Sequence, residues 1–159
     1  MASRSMVMRL EEVDWSGKDV LDLGCNLGVT GWEFARRGAR RVVGVDLPHV
    51  AQVARELANW VGWWNVDVLG LRLPAERERI VELSGLEGFD VVLALSVDRQ
   101  IGYAPWMAEL CREVFFLEGH VPDKEETYRE RLEADFKRVE FLGATRDHGP
   151  RPVFRCWVN

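Results

Sequence analysis

The sequence of 159 residues has few of the features that would define a protein class at once. Its three cysteines, Cys25, Cys111 and Cys156, lie far apart and form no CxxC pair, so neither a disulfide framework nor a zinc knuckle is indicated. It has no apolar run of the roughly 20 residues that a membrane span needs, and no signal-peptide core. We expect a cytoplasmic, soluble protein without a metal site or a membrane contact.

The chain also has no excess of positive charge. Its 21 basic and 26 acidic residues give a formal net charge of −5, so no general field attracts nucleic acid or anionic lipid. An RNA-binding role would need a local basic patch. With 47% hydrophobic and 30% charged residues, the chain can bury the core of one domain, which excludes a disordered tail or a collagen-like repeat.

Short apolar runs alternate with longer helical patterns along the chain. The strand patterns lie at 19–23, 41–47, within 65–73, and at 89–95, 114–117, 139–142 and 153–157. The helical patterns lie at 30–37, 48–60, 75–83, 105–113 and 123–136. The last two strands are joined by a turn-rich link that is short enough for an antiparallel hairpin.

This order predicts an α/β fold. We expect a Rossmann-like, seven-stranded, mostly parallel sheet with helices on both faces and an antiparallel hairpin at the carboxyl end. Residues 1–18 are predicted to be an N-terminal stub, and residues 19–159 the ligand-binding domain.

The most informative segment is VLDLGCNLG at residues 20–28, which is followed by Asp46 at the end of the second strand. Gly24 and Gly28 permit a tight turn from strand to helix, where the backbone can approach a ligand closely. The carboxylate of Asp46 can accept hydrogen bonds from both hydroxyls of a ribose. The pattern therefore predicts a ligand that contains a ribose.

Electrostatics favours one cofactor over another at this turn. A dinucleotide site presents bare glycine amides to a pyrophosphate in a GxGxxG arrangement, whereas this turn is GxxxG and has Asp22 on its strand. That carboxylate would repel pyrophosphate and attract an ammonium group. S-adenosylmethionine, which has an amino-acid end, a ribose and an adenine, fits this pattern.

These motifs resemble those of the class I S-adenosylmethionine-dependent methyltransferases. DLGCNLG matches the glycine-rich signature, GVDL the acidic end of strand two, and FDVVLALSV the fourth-strand motif. More loosely, residues 117–120 and 151–156 look like parts of small relatives of the tRNA wobble-uridine carboxymethyl-transfer enzymes. The resemblance implies methyl transfer from S-adenosylmethionine, with S-adenosylhomocysteine as the product.

The resemblance also implies which residues bind the cofactor. Asp22 would hold the methionine ammonium, Asp46 the ribose hydroxyls, and Leu47 would pack beside the adenine. The full set is Asp22, Gly24, Cys25, Asn26, Gly28, Asp46, Leu47, Asp67 and Ser96.

Two members of this set have alternatives. Asp67 is assigned to the adenine amino group, but a second register of strand three places Arg72 at the ligand end instead. Cys25 is interpreted as a packing residue of the loop rather than a redox thiol.

Three residues after strands four and five are candidates for acid-base chemistry. His120 could accept a proton from a hydroxyl or amine acceptor, while Asp98 and Tyr103 could orient an acceptor. The alternative for each is an ordinary loop residue. Strand four lacks the Asn/Asp-Pro-Pro-aromatic sequence of methyltransferases that act on planar amines, which disfavours methylation of adenine or cytosine amino groups.

We expect a small-molecule acceptor first, because of the negative net charge, and tRNA or another RNA second. A non-catalytic S-adenosylmethionine-binding accessory subunit is a third reading. A homodimer could complete an open acceptor pocket. The cluster of Trp60, Trp63 and Trp64 could stack a planar substrate, but packing in the core or at an oligomer interface is favoured.

Overall fold

The computed structural model describes residues 7–120, 125–145 and 150–158. Within these residues one sheet contains seven strands: β1 (Asp19–Leu23), β2 (Arg41–Asp46), β3 (Val66–Gly70), β4 (Phe89–Leu95), β5 (Cys111–Glu118), β6 (Arg138–Thr145) and β7 (Arg151–Trp157). Their order is β3-β2-β1-β4-β5-β7-β6, and β7 runs antiparallel to both β5 and β6. The predicted fold class is confirmed.

The helices connect the parallel strands. They are α1 (Val29–Arg36), α2 (Pro48–Val61), α3 (Arg79–Ser84), α4 (Asp98–Ile101), α5 (Pro105–Glu109) and α6 (Glu125–Asp135), and a short 3-10 helix precedes β1 at Leu10–Glu12. Among the described residues, no helix combines the length and the hydropathy that crossing a membrane requires.

Two predicted helices are shorter in the structure. The helix predicted at 75–83 begins only at Arg79, because the Glu76 carboxylate accepts the backbone N–H of Arg72 at 2.8 Å and closes a turn there. The helix predicted at 105–113 ends at Glu109, because Cys111 already pairs with Phe89 of the neighbouring strand. Strand pairing therefore overrides the helical pattern of the residues that follow Glu109.

Apolar side chains from alternate strand positions fill both sides of the sheet. In β1, Val20 packs in the cluster that contains Phe34 of α1, whereas Leu21 packs in the cluster that contains Phe89 and Phe115. All of these side chains are fully buried. The sheet is thus covered on both faces, as a parallel α/β sheet requires.

The described part of the N-terminal segment packs against this core. Met8, Leu10 and Trp15 are buried. The ring of Trp15 stacks on Phe34 with centroids 4.3 Å apart, and its indole N–H donates to the carbonyl oxygen of Leu10 at 2.8 Å. Segment 7–18 therefore contributes to the stability of the sheet, and the predicted boundary after residue 18 stays a prediction.

Trp15→Ala is expected to lower the free energy of unfolding by about 3–5 kcal/mol, because it empties a buried aromatic site. Trp15→Phe keeps the ring stacking and loses the indole hydrogen bond, so it should cost about 1–2 kcal/mol. Urea unfolding followed by circular dichroism measures both values. A loss below about 1 kcal/mol for Trp15→Ala would show that the segment does not belong to the cooperative core.

Candidate functional site

The candidate site lies where the strand order of the sheet reverses. Strand β1 pairs with both β2 and β4, so the connections after β1 and β4 leave the sheet in opposite directions and open a crevice at the carboxyl ends of the strands. Two adjoining cavities of about 330 and 570 Å³ occupy this crevice. Both are lined by Gly24, Asn26 and Leu95.

The glycine-rich turn after β1 is fixed to β2 by backbone hydrogen bonds. The amides of Gly24 and Cys25 both donate to the carbonyl oxygen of Val45, at 2.8 and 3.1 Å. Gly24 and Gly28 have φ angles of 72° and 82°, in the left-handed region that favours glycine. The turn consequently brings the amino end of α1 next to the smaller cavity.

The structure adds a second reason for glycine at position 24. A Cβ atom built on Gly24 would lie 1.9 Å from Cγ1 of Val97, which comes from the loop after β4. The sequence motif predicts space for a ligand at this glycine. The side facing Val97 is instead filled by that side chain, so Gly24 allows two loops to pack together at the crevice.

Asp46 lies at the end of β2, between the two loops that border the larger cavity. One carboxylate oxygen accepts the backbone N–H of Asn26 at 2.8 Å, and the other accepts the N–H of Leu47 at 2.7 Å. A carboxylate has acceptor sites for about four hydrogen bonds, so two such sites remain for hydroxyl groups of a ligand. The carboxylate both orders the glycine turn and lines the cavity.

Asp22 lines the smaller cavity from within β1, where only 2% of its surface is exposed. Its charge, like that of Asp46, affects the thiol of Cys25. The pKa of Cys25 is raised above the ordinary thiol value, mainly by burial and further by the negative charges of Asp22 and Asp46. Both carboxylates therefore impose a negative potential at the glycine turn, which favours a cationic group over a phosphate.

Cys25 packs rather than projects into solvent. It forms a small buried cluster with Ala51, Ala54 and Val68. A Cβ atom built on Gly44 of β2 would lie 2.8 Å from the Cys25 sulfur, so the thiol occupies the space that Gly44 leaves open. Cys25 is thus packed like a small apolar side chain, and it also lines the smaller cavity; its contact with a cofactor stays a prediction.

The larger cavity has an apolar wall that the sequence motifs did not predict. Leu47 lines it and is 46% exposed. Its other apolar lining residues come from the ends of β2 and β4, from α2, from the segment after β3, from the loop after β4 and from α4; they are Val45, Leu95, Val50, Leu71, Leu73, Val97 and Ile101. Only the order of the strands brings these segments together, so no local pattern identifies them.

The structure does not bring Asp67 to this cavity. In β3, Gly70 is the residue that pairs with Asp46, while Asp67 pairs with Val43 further back along β2. The Asp67 carboxylate accepts the Nε–H of Arg41 at 2.7 Å. Arg41 is the first residue of β2, so this contact lies at the ends of the strands opposite the cavities. Asp67 therefore lies away from the cavity where the prediction placed it. The strand ends at Gly70, so Arg72, the alternative, follows the ligand end of the strand, but neither residue is among the described lining residues of the cavity.

Ser96 lines the larger cavity and connects it to a buried polar network. Its φ angle is 61°, which is rare for serine. The Ser96 hydroxyl donates to the Glu118 carboxylate and accepts the Nη1–H of Arg151 at 2.6 Å. Thr145 donates to the other Glu118 oxygen at 2.5 Å, and Glu118 is 1% exposed. This network fixes the end of β4 against β5, β6 and β7.

Two of the three catalytic candidates do not line the cavities. The described lining residues include neither His120 nor Tyr103. The backbone N–H of His120 donates to the Tyr128 hydroxyl at 3.0 Å. The Tyr103 hydroxyl donates to Asp135 at 2.7 Å, and burial raises its pKa. Tyr103 is thus held among core side chains, because the chain turns back towards β5 after α4. Asp98 begins α4, and its side chain lies outside the described part of the structure.

Comparisons with known proteins point to one class. No family model matches the chain. Ribosomal protein L11 methyltransferase of Aeromonas hydrophila is 37% identical over 86 residues, which are 54% of this chain and 27% of that protein. The tRNA U34 carboxymethyltransferase of Marinobacter nauticus is 39% identical over 70 residues, 41% of this chain and 21% of that protein. The chain spans about a quarter of the length of these curated relatives.

A solved structure shows the same fold over nearly the whole chain. Magnesium protoporphyrin IX methyltransferase from Synechocystis PCC 6803, crystallised with bound S-adenosylmethionine, superposes with a TM-score of 0.71 at 21% identity, covering 98% of this chain and 77% of that one. The protein therefore has the Rossmann-like fold of the S-adenosylmethionine-dependent methyltransferases, and its sequence is similar to methyltransferases.

The three cysteines are expected to be unreactive in the folded protein. All are buried, and burial raises the pKa of each thiol, that of Cys111 to about 12. The thiolate fraction near pH 8 is therefore negligible, and a disulfide reagent such as DTNB should label the native chain about 100-fold more slowly than the unfolded chain. In guanidinium chloride all three thiols should react. Rapid labelling of native Cys25 would contradict its packing role.

Proposed function

We propose that the protein binds S-adenosylmethionine in the two adjoining cavities and transfers its methyl group to an acceptor. The observation that carries this proposal is the pair of carboxylates, Asp22 and Asp46, on either side of the glycine turn at the point where the strand order reverses. The similarity to methyltransferases in sequence and fold supports it.

Each part of the cofactor has a matching surface. Asp22 and the amides of the glycine turn would hold the methionine end in the smaller cavity. Asp46 would accept the ribose hydroxyls with the acceptor sites that Asn26 and Leu47 leave. Leu47 and the apolar wall of the larger cavity would cover the adenine. The two cavities adjoin at Gly24, which lines both of them.

The charges of the site disfavour a dinucleotide. A pyrophosphate at the glycine turn would face the negative charges of both Asp22 and Asp46, which already raise the pKa of Cys25 in that turn. Further negative charge close to two carboxylates in a partly buried site is electrostatically costly. An ammonium or a sulfonium group is favoured in the same position.

The bound cofactor supplies a methyl group on a positively charged sulfur, which is the electrophile of the reaction. The protein contributes mainly orientation and exclusion of water, through the turn that holds one end and the apolar wall of the larger cavity. The described lining residues include no histidine, lysine or tyrosine that would serve as a base. The proposal therefore favours an acceptor that needs no strong base, such as a carboxylate or an acidic hydroxyl.

A small-molecule acceptor is the form of this activity that we propose first. The larger cavity, of about 570 Å³, has the size and the apolar lining of small-molecule sites, and the net charge of −5 does not attract polyanions. A tRNA acceptor is the second candidate, because the chain is 39% identical over 70 residues to a tRNA U34 carboxymethyltransferase.

Calorimetric titration with S-adenosylmethionine and S-adenosylhomocysteine tests cofactor binding. Asp46→Ala is expected to weaken binding by about 10–100-fold, because it removes charge-assisted hydrogen bonds to the ribose. Asp67→Ala is the matched control. It removes a carboxylate of the neighbouring strand β3 that lies towards the other end of the strands from the cavities, so the affinity for S-adenosylmethionine should not change.

Equal losses in both variants would point to a general effect on the sheet and would contradict the assignment of Asp46. Absence of binding by the well-folded native chain would overturn the proposed function. Once binding is established, release of S-adenosylhomocysteine in the presence of small carboxylate and hydroxyl compounds, or of tRNA, distinguishes the two acceptor classes. Binding without release in either case would favour an accessory subunit.

A further inference from the structure

Two tryptophans lie almost fully exposed at the carboxyl end of α2. Trp60 is 85% exposed and Trp64 is 89% exposed, whereas Trp63, between them, is half-buried and packs against the core. The packing expected for the tryptophan cluster thus holds within the chain only for Trp63. Large aromatic side chains are rarely left in water without a partner, so the other two call for a separate explanation.

The exposed tryptophans extend an apolar face along α2. At 100° per residue, Val53, Leu57, Trp60 and Val61 fall within an arc of about 100° on one side of the helix. Val53 and Val61 are 45% and 48% exposed. These four residues together with Trp64 are termed the α2 stripe.

The α2 stripe is distinct from the face by which α2 contacts the sheet. The buried residues of the helix are Ala51, Ala54 and Ala58, which lie on another part of its circumference. The stripe therefore adjoins the buried face and extends it as an apolar surface that the contact with the sheet does not cover.

The charges next to the stripe do not suit a phosphate-bearing partner. Arg40 and Arg41, which line a small cavity with Trp64, form ion pairs with Asp19 and Asp67. Because each of these cations is already matched by a carboxylate, the surface offers little attraction to RNA or to anionic lipid. An electrically neutral protein surface is the better complement.

The size of the stripe points to a second copy of the same chain. From their exposed fractions, its tryptophans and valines present on the order of 500 Å² of apolar surface. A two-fold axis uses the same patch twice and buries about 1,000 Å², close to the lower limit for a specific interface. A second copy of the chain supplies the matching apolar patch itself, so a two-fold pair reaches this size without another protein.

We propose that the α2 stripe is the two-fold interface of a homodimer, in which the two α2 helices pack against each other. The interface would lie beside the cofactor crevice, because Val50, one turn before the stripe, lines the larger cavity. The second copy would then border the side of the cavity that α2 forms. This inference stands on surface chemistry alone and does not require the proposed methyl transfer.

Sedimentation velocity over the micromolar concentration range tests the interface. The native chain should sediment with twice the 18.3 kDa mass of one chain. Trp60→Lys/Trp64→Lys should weaken association by about 100-fold or more, because buried tryptophans dominate interface energies. Both side chains are exposed, so the fold should persist, as circular dichroism and the melting temperature will show.

Gln52→Lys/Asn59→Lys is the matched control, since it adds the same two charges to exposed positions of α2 that face away from the stripe. It should leave the dimer intact. Val53→Lys, at the other end of the stripe, should also weaken association. A native chain that stays monomeric at high micromolar concentration would overturn the proposal. A dimer that survives the tryptophan substitutions would overturn it as well, because the interface would then lie elsewhere.

Discussion

The parallel pairing of β1 with β2 on one side and with β4 on the other is the constraint on which the whole site depends. It aligns Asp22 with Gly44 and Leu93 and places the carboxyl ends of β1, β2 and β4 side by side. The glycine turn can reach the carbonyl of Val45 only in this register. Any shift by one residue would turn Asp22 to the other face of the sheet and separate it from the cavity.

The same pairing also positions the loop after β4 and the residues that this loop contacts. The loop after β4 closes over Gly24 through Val97, while Ser96 beside it is tied to Glu118 and Arg151. The buried carboxylate of Glu118 is compensated by two hydroxyls and a nearby guanidinium, as a charge in a low-dielectric interior requires. The antiparallel hairpin, at the far side of the sheet, thereby helps to hold the wall of the larger cavity.

Local patterns were sufficient for the fold and for part of the site. The nearly continuous apolar run at 89–95 predicts β4 to the residue, and the turn around Gly24 and Gly28 is defined by its own sequence. Predictions failed where strand pairing determines the structure. Cys111 belongs to a strand although it lies within the helix predicted at 105–113, and the position of Asp67 depends on the register of β3. Val97 and the buried role of Glu118 have no local signature, because distant segments create their surroundings.

The contact between Cys25 and Gly44 limits how the site can change during evolution. The cysteine sulfur fills the space above Gly44, on the strand that ends at Asp46. A larger residue at position 44 is tolerated only after position 25 has become smaller, so the order of the two substitutions matters. The reverse order passes through an overpacked intermediate that displaces the glycine turn. The two positions should therefore covary among related sequences, although they lie 19 positions apart in the chain.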